Sequence, residues 1–435
     1  MVTFDCVFQK IHTRQARVGV IGLGYVGLPL LVEFSRAGFQ TVGLDVDRSR
    51  VDALVQGKSY LEDVSTDAVG EALAAGRLTP TMDFSELAGL DTVSICVPTP
   101  LRKTKDPDLS FIVAAVDQIV RHLRSGQLII LESTTYPGTL EEVVKPKLEA
   151  TGLVAGQDFF LAFSPERVDP GNPEWSTKRI PKVVGGVDER STQLAVALYE
   201  RFIDTVVPVS SARVAEMVKL LENTFRAVNI GLVNELAMMC RDLGVDVWEV
   251  VDAAATKPFG FMPFYPGPGL GGHCIPVDPY YLSWKARQKG FESRFIELAG
   301  HINGGMPRYV VQRISDALNS QSKAINGARI HLFGVAYKSG VSDTRESPAL
   351  DIAQLLLERG AVLRYTDPFV GSFAVGNVKL NTVPLEDALD EGMDCAVVTT
   401  AHPQIDYSEI VRRTPVVVDT RNALKESRAS HVFRL

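Results

Sequence analysis

Residues 16–47, ARVGVIGLGYVGLPLLVEFSRAGFQTVGLDVD, leave the start of this chain little freedom in how to fold. A short apolar run, VGVI, enters a glycine turn. Apolar residues then recur at helical spacing until Gly38, and a second apolar run ends in acids. The turn itself reads Gly22-Leu23-Gly24-Tyr25-Val26-Gly27, and Asp45 closes the strand that follows. Each glycine answers a separate steric need. Gly22 permits the turn, Gly24 lets a pyrophosphate approach backbone N–H groups, and Gly27 lets the helix pack on the strand. The helix N-terminus favours the phosphate charge. Residues 22–27, with Tyr25 and Val26 inside them, are therefore expected to cradle a dinucleotide. Asp45 is placed to bind ribose hydroxyls and to repel a 2′-phosphate, which favours NAD over NADP, with Arg48 and Arg50 nearby as the opposing charges.

The same alternation continues. DTVSICVPTP (91–100) and GQLIILESTT (126–135) read as buried strands with helical segments between them, which argues for a parallel α/β sheet over residues 16–208. Residues 211–244 differ: they hold no proline and one internal glycine, Gly231. Val214, Met217, Val218, Leu221, Phe225, Val228, Leu232 and Leu236 recur near a period of 3.6, as in one long helix. Such a helix suits a tie between domains and a contact with a second copy. From about residue 327 the α/β pattern restarts, with strands in ARIHLFGVAYK, AVLRYTDP, DCAVVTTAHP and PVVVDTRN and a helix in SPALDIAQLLLERG. A chain of 435 residues is too long for one core. The expected fold is α/β: two Rossmann-like parallel-sheet domains joined by a central helical domain. The boundaries fall at 1–15 (an N-terminal extension), 16–208, 209–325 and 326–435.

A net charge of −7 argues against nucleic acid as the main partner and leaves room for a small anionic substrate. The five cysteines, Cys6, Cys96, Cys240, Cys274 and Cys395, form no C-x-x-C pair. Neither a disulfide framework nor a metal site is expected, and reduced thiols fit a cytoplasmic setting. The first sixteen residues lack a signal-peptide core, and no run approaches the ~18 apolar residues of a membrane span. One cysteine stands apart, in GPGLGGHCIPVDP (267–279). Glycines clear space around a backbone and prolines stiffen it. A free cysteine is most often buried and inert, but small neighbours leave Cys274 accessible, and a nearby cation would make it a nucleophile. Asp278 follows four residues later. On the long helix Lys219 and Asn223 stand i, i+4 and share a face, which Val218 and Leu220 leave undecided between core and solvent.

Seven stretches in order, GLGYVGLPL, VPTPL with PDLSFI, ESTTYPGT, FSPERVDPG, KLLENTFRAVNIGLVNEL, GPGLGGHCIPVDP and DTRESPALDI, resemble the motifs of the nucleotide-sugar dehydrogenases, the UDP-glucose/GDP-mannose 6-dehydrogenases. The resemblance runs from about residue 16 to 425. It implies an NAD domain, a central helical domain and a UDP domain, assembled as a homodimer or higher homo-oligomer. It also implies oxidation of a sugar C6 alcohol to a carboxylate by two NAD in turn. Carried over, Cys274 attacks the intermediate aldehyde, the thiohemiacetal becomes a thioester, and water releases the acid. Lys219 and Asn223 stabilise the oxyanion and also touch substrate. Asp278 handles a proton, while Glu166 and Thr134 hold or activate the hydrolytic water. Thr134, Arg50, Thr99 and Arg345 match cofactor contacts. Lys338, Arg421 and the loop 265–272, with Tyr265 and Gly271, match contacts to the UDP-sugar.

Two departures bear on substrate. The glucose branch typically has serine before the cysteine and lysine before the aspartate, where this chain has His273 and Val277. The loop looks like that of the branch acting on UDP-N-acetylhexosamines, above all UDP-N-acetyl-D-glucosamine, for surface polysaccharide precursors. His273 is either loop packing or a substrate contact. The alternatives are UDP-glucose, and the N-acetylmannosamine or N-acetylgalactosamine sugars. From other classes come a non-catalytic nucleotide-binding scaffold and a two-electron hydroxyacid dehydrogenase. The intact set of Cys274, Lys219, Asn223, Asp278, Glu166 and Thr134 argues against the scaffold, and the hydroxyacid enzyme would need no cysteine loop.

Overall fold

Short runs such as RVGVI and LIIL are apolar on both faces, as strands covered by helices on both sides must be. They form β1 (Arg17–Ile21) and β5 (Leu128–Leu131), with Val18, Val20, Ile129 and Ile130 fully buried. The computed structural model describes residues 2–61, 63–102, 106–168, 175–272 and 274–435. The chain divides into two compact units, one of Met1–Glu222 with Trp284–Lys289, the other of Asn223–Ser283 with Gly290–Leu435.

The first unit is built on β1, β2 (Gln40–Leu44), β3 (Leu78–Thr81), β4 (Thr92–Ile95), β5, β6 (Phe160–Phe163), β7 (Lys182–Gly186) and β8 (Val206–Pro208). Among the described residues their order is β3-β2-β1-β4-β5-β6-β7-β8. Neighbours run parallel except β6 and β7, which are antiparallel. The chain reverses its direction of travel across the sheet between β1 and β4, and ligands of such sheets bind beyond the strand C-termini at that point. The helix Gly27–Arg36 buries Leu28, Leu31 and Phe34 on the sheet. Residues 1–15, set apart by sequence as an extension, contribute the helix Val2–His12, whose Val7 and Ile11 join the same core.

The second unit holds β9 (Arg329–Phe333), β10 (Val362–Thr366), β13 (Cys395–Val398), β14 (Val417–Asp419) and β15 (Val432–Arg434), in the order β10-β9-β13-β14-β15 and all parallel. A hairpin of β11 (Ser372–Val375) and β12 (Val378–Asn381) forms a separate two-stranded sheet whose Phe373 and Val375 join the same core. The helix Arg294–Asn319 packs Val310, Val311, Ile314 and Leu318 into this core.

The long helix is Ala212–Leu243, 32 residues and so about 48 Å. It buries small and apolar residues, among them Ala215, Leu220, Ala227 and Val233, together with several polar ones. Of the apolar residues that carry the 3.6 period, Val214, Met217, Leu221, Phe225 and Leu232 are exposed and Val218, Val228 and Leu236 half-buried, while Glu216, Lys219, Asn223 and Asn234 are buried. Gly231 has a steric reason: a Cβ there would stand 3.2 Å from the Cα of Ala299 on the helix Arg294–Asn319. Among the described residues no helix is long and apolar enough to cross a membrane.

Candidate active site

The glycine turn meets the needs read from its sequence. Gly22 has φ +89°, and a Cβ on it would lie 2.6 Å from the carbonyl oxygen of Cys96 at the end of β4. A Cβ on Gly27 would lie 1.8 Å from the Gly22 carbonyl oxygen. At Gly24 it would meet nothing within 4 Å, so the backbone faces open space where a pyrophosphate would lie. Tyr25 is exposed beside it and Val26 half-buried. Thr99, beyond the end of β4, is buried. These residues fit a dinucleotide.

Asp45 is 5% exposed. Its Oδ2 accepts the Leu23 N–H at 2.7 Å and an Arg50 N–H at 3.2 Å, and its Oδ1 accepts the Asp47 N–H at 2.9 Å. Arg50 also pairs with Asp47 at 3.6 Å. Arg50, one of the two arginines set against NAD selectivity, thus pairs with two carboxylates. Oδ1 keeps acceptor capacity for a ribose hydroxyl. We expect kcat/KM with NAD to exceed that with NADP by about tenfold or more, since each 1.4 kcal/mol of charge repulsion is tenfold. Equal values for the two cofactors would contradict this role of Asp45.

The second sheet repeats the turn and closes it. Gly334, after β9, has φ +81°, and a Cβ there would stand 2.2 Å from the Thr400 carbonyl oxygen. Asp367, the counterpart of Asp45 after β10, spends both oxygens inside the protein. Oδ2 accepts Val335 and Ala336 N–H at 2.7 and 3.1 Å and faces His402 Nε2 at 3.1 Å. Oδ1 accepts Phe369 and Val370 N–H at 2.9 and 3.1 Å. Although burial opposes ionisation, His402 and these N–H groups hold the Asp367 pKa below its ordinary value. This carboxylate is not available to a ribose.

The cysteine loop is fixed within the second unit. Asn234 Oδ1 accepts the Gly267 N–H at 2.9 Å, and Asn234 Nδ2 donates to Asn303 Oδ1 at 2.8 Å. The Gly272 N–H donates to the Arg345 carbonyl at 3.1 Å. Cβ atoms on Gly267 and Gly271 would lie 2.7 Å from Arg421 Nη1 and 2.7 Å from Tyr337 Cβ, so the bare backbone lies against both side chains. Arg421 donates from Nε to the Thr399 carbonyl at 2.9 Å, and burial lowers its pKa to about 10, which leaves it cationic at neutral pH. Lys338 is half-buried in the loop after β9. The Arg345 guanidinium is paired with Asp343 at 2.6 Å. Tyr265 is exposed, donates to Asp252 Oδ1 at 2.8 Å, and stacks on Trp248 at 5.8 Å.

Cys274 is a half-buried cysteine outside any disulfide, and its carbonyl accepts the N–H groups of Val277 and Asp278 at 3.1 and 2.8 Å, which turns the chain into the helix Asp278–Gln288. Asn223 Nδ2 donates to Asp278 Oδ2 at 2.5 Å, and both residues are buried. Lys219, one turn earlier on the long helix, is 8% exposed. Its face is therefore turned to the interior rather than to solvent. His273 lies outside the described residues.

In the first unit Thr134 is half-buried in the segment after β5. Glu216, buried on the long helix, anchors that segment by accepting Gly138 and Leu140 N–H at 2.5 and 3.0 Å. Burial raises the Glu216 pKa to about 7 against the pull of those two donors. Glu166 is ordered by its own backbone: Oε1 accepts the N–H groups of Arg167 and Val168, both at 2.7 Å. Its Oε2 faces Lys182 Nζ at 3.8 Å. Lys182, Glu132 and Tyr199 form a buried cluster that the sequence reading missed. Its signals were a lysine opening an otherwise apolar strand and an acid directly after β5.

Models of the UDP-glucose/GDP-mannose dehydrogenase family match the chain in order: the NAD binding domain over residues 16–203, the central domain over 213–304 and the UDP binding domain over 331–426. The chain is 35% identical to UDP-N-acetyl-D-mannosamine dehydrogenase of Pyrococcus horikoshii, over 96% of this chain and 98% of that one. It is 38% identical to UDP-N-acetyl-D-glucosamine 6-dehydrogenase of Pseudomonas aeruginosa, over 82% of this chain and 84% of the relative. The solved structure of the Pyrococcus horikoshii UDP-D-ManNAc dehydrogenase superposes with a TM-score of 0.88 at 35% identity, covering 96% and 98% of the two chains. That of NDP-N-acetyl-D-galactosaminuronic acid dehydrogenase from Methanosarcina mazei gives 0.81 at 30% identity, covering 98% and 97%. With an open glycine cradle on one sheet and a closed one on the other, the chain belongs to the UDP-glucose/GDP-mannose dehydrogenase family and is an NAD-dependent oxidoreductase of nucleotide sugars.

Proposed function

We propose that the protein oxidises the C6 hydroxyl of a UDP-N-acetylhexosamine, UDP-N-acetyl-D-glucosamine in the first place, to the uronic acid for surface polysaccharide precursors. The observation that carries this is the cysteine loop. It presents Cys274 on glycine-cleared backbone, laid against Arg421 and followed by an Asp278 that Asn223 holds in place. NAD, when bound, accepts hydride in each of the two oxidations. Cys274 adds to the intermediate aldehyde and keeps it covalently attached as thiohemiacetal and then thioester. Lys219 and Asn223 supply donors to the developing oxyanion. Asp278, acceptor to Asn223, handles the proton. Thr134 and Glu166 hold and activate the water that releases the acid. Arg421 and Lys338 bind the diphosphate as charge-assisted donors, with the loop 265–272 around the nucleotide. Arg50, Thr99 and Arg345 contact the cofactor.

The exposed apolar stripe of the long helix supports a homodimer, because monomers rarely expose such a stripe. Five free thiols support a cytoplasmic site of action.

The second reading is UDP-N-acetyl-D-mannosamine, favoured by near full-length similarity to the Pyrococcus horikoshii enzyme of that name. The two sugars differ only in which face of C2 carries the acetamido group. A panel of UDP-sugars, scored by kcat/KM from NADH and by product mass, separates them. We expect the N-acetylglucosamine sugar to lead and UDP-glucose to fall at least about 100-fold behind. A site built to hydrogen-bond an amide is left with unpaired polar groups by a substrate lacking it. UDP-glucose at or above every N-acetylated sugar would overturn the assignment.

A further inference from the structure

We propose that Lys182 is a positioning residue for thioester hydrolysis, fixing the one oxygen of Glu166 that is free to take a proton from water; this rests on the role given to Glu166 above. Lys182 opens β7 and is 5% exposed. Lysine is rarely this buried unless paired. Its Nζ stands 2.8 Å from Glu132 Oε2, 3.8 Å from Glu166 Oε2, and 4.9 Å from the centroid of the Tyr199 ring. The Tyr199 hydroxyl donates to the other oxygen of Glu132. One ammonium therefore faces two carboxylates of unlike character. The Glu132 carboxylate is sealed, with both oxygens engaged. That of Glu166 is still partly open, at 16%.

Glu132 is the nearer and larger compensation for the buried ammonium, so Glu166 is not the partner on which the Lys182 charge chiefly depends. Nor is a buried ion pair needed for stability, since apolar side chains of similar volume commonly replace one without loss. What the arrangement does is make the two oxygens of Glu166 unequal. Oε1 is taken by two backbone N–H groups, leaving Oε2 as the basic oxygen. Its 3.8 Å to Lys182 Nζ is too long for a hydrogen bond and is a separation that a water can bridge. A recess lined by Pro165, Glu166, Arg167, Thr177, Ile180 and Lys182 opens at this point. Burial pulls the Lys182 pKa down, but Glu132 and Glu166 outweigh it and hold the group above its ordinary value, hence protonated. In the step itself the water oxygen bonds to the acyl carbon. One water proton passes to Oε2, and the C–S bond breaks with its electron pair on the Cys274 sulfur. That proton then goes to the thiolate, giving the free acid and the thiol.

Lys182→Met alone would strand the buried Glu132, so the test pairs it as E132Q/K182M. The full-length enzyme is mixed with UDP-N-acetyl-D-glucosamine and NAD, and the NADH burst, steady rate and intact mass are recorded. The burst, two NADH per site, is expected within about twofold of the parent. Steady turnover is expected to fall about 10- to 100-fold, the scale of an ångström of misplacement, with the acyl adduct accumulating on Cys274. Lys182→Arg restores the rate to within about threefold, because an arginine spans the same two carboxylates. Adding E166Q to E132Q/K182M slows hydrolysis by no more than about twofold beyond E166Q alone, as expected of groups acting as one unit. Should the double variant not fold, Tyr199→Phe carries the test. It loosens Glu132 and draws Lys182 from Glu166, so hydrolysis slows with the burst kept. Wild-type hydrolysis in the folded variant, or equal slowing of burst and turnover, would overturn the proposal. If E166Q is slow and the Lys182 variants are not, only this proposal falls. If E166Q itself hydrolyses normally, the role of Glu166 falls and the proposal with it.

Discussion

Cys274→Ser is expected to stop steady turnover, with a fall of about 10³-fold or more, as for loss of a covalent nucleophile in other enzymes. The alcohol carries a hydride on C6 next to an ionisable hydroxyl, and its oxidation needs no sulfur. The aldehyde carbon does not offer its hydrogen as hydride until a nucleophile has made it tetrahedral. A thiol ionises near pH 8.5, far below a serine hydroxyl, and the thiolate is the stronger nucleophile. The variant is therefore expected to release at most one NADH per sugar at a useful rate. Glycines at 267, 271 and 272 set the loop against Arg421 and Tyr337 independently of the side chain at 274, so its conformation should survive the change. NADH stoichiometry and product mass check this. Two NADH per sugar at the parent rate in the serine variant would remove Cys274 from the mechanism.

Glu166→Gln is expected to leave the first turnover of NADH intact and slow release of the acid by about 10²–10⁴-fold, the range of general-base catalysis. The geometry makes glutamine a poor substitute despite its shape. Two backbone N–H groups point at one end of the side chain and the Lys182 ammonium faces the other. Whichever way the amide is turned, its NH₂ meets donors. A burst followed by near-arrest, with a mass increase on Cys274 equal to the acyl group, is the expected record. An unchanged rate without adduct would give the water to another residue.

The sheets were legible because their strands are short, apolar on both faces and punctuated by glycine. Gly22, Gly24 and Gly27 were assigned their separate roles from spacing alone, and the structure gives Gly22 and Gly27 a close contact each and Gly24 open space. The long helix was legible as a helix but not as a surface, because its apolar period is shared between half-buried residues such as Val228 and exposed ones such as Leu221. Nothing in the period told whether Lys219 was solvated. The hairpin of β11 and β12, the antiparallel β7 and the helix Val2–His12 went unread. Each is short or held by tertiary contacts rather than by local pattern. Lys182 was invisible for a related reason: a single lysine at a strand end is ordinarily solvated, and only the approach of β5 and of Tyr199 makes it a buried cation.

The buried polar residues of the long helix change how its positions tolerate substitution. A designer improving the core by hydropathy would place leucine at Glu216 or Asn234 and leave the outer leucines alone. The first choice strands the N–H groups of Gly138 and Leu140, and the second that of Gly267. Each orphaned donor costs about 1–3 kcal/mol, a large share of a domain's 5–15 kcal/mol of net stability. Leu221 or Leu232, by contrast, can become polar without opening a cavity inside the subunit. Repacking by hydropathy therefore fails at Glu216 and Asn234, because at these two positions the helix contributes acceptors matched to two loops.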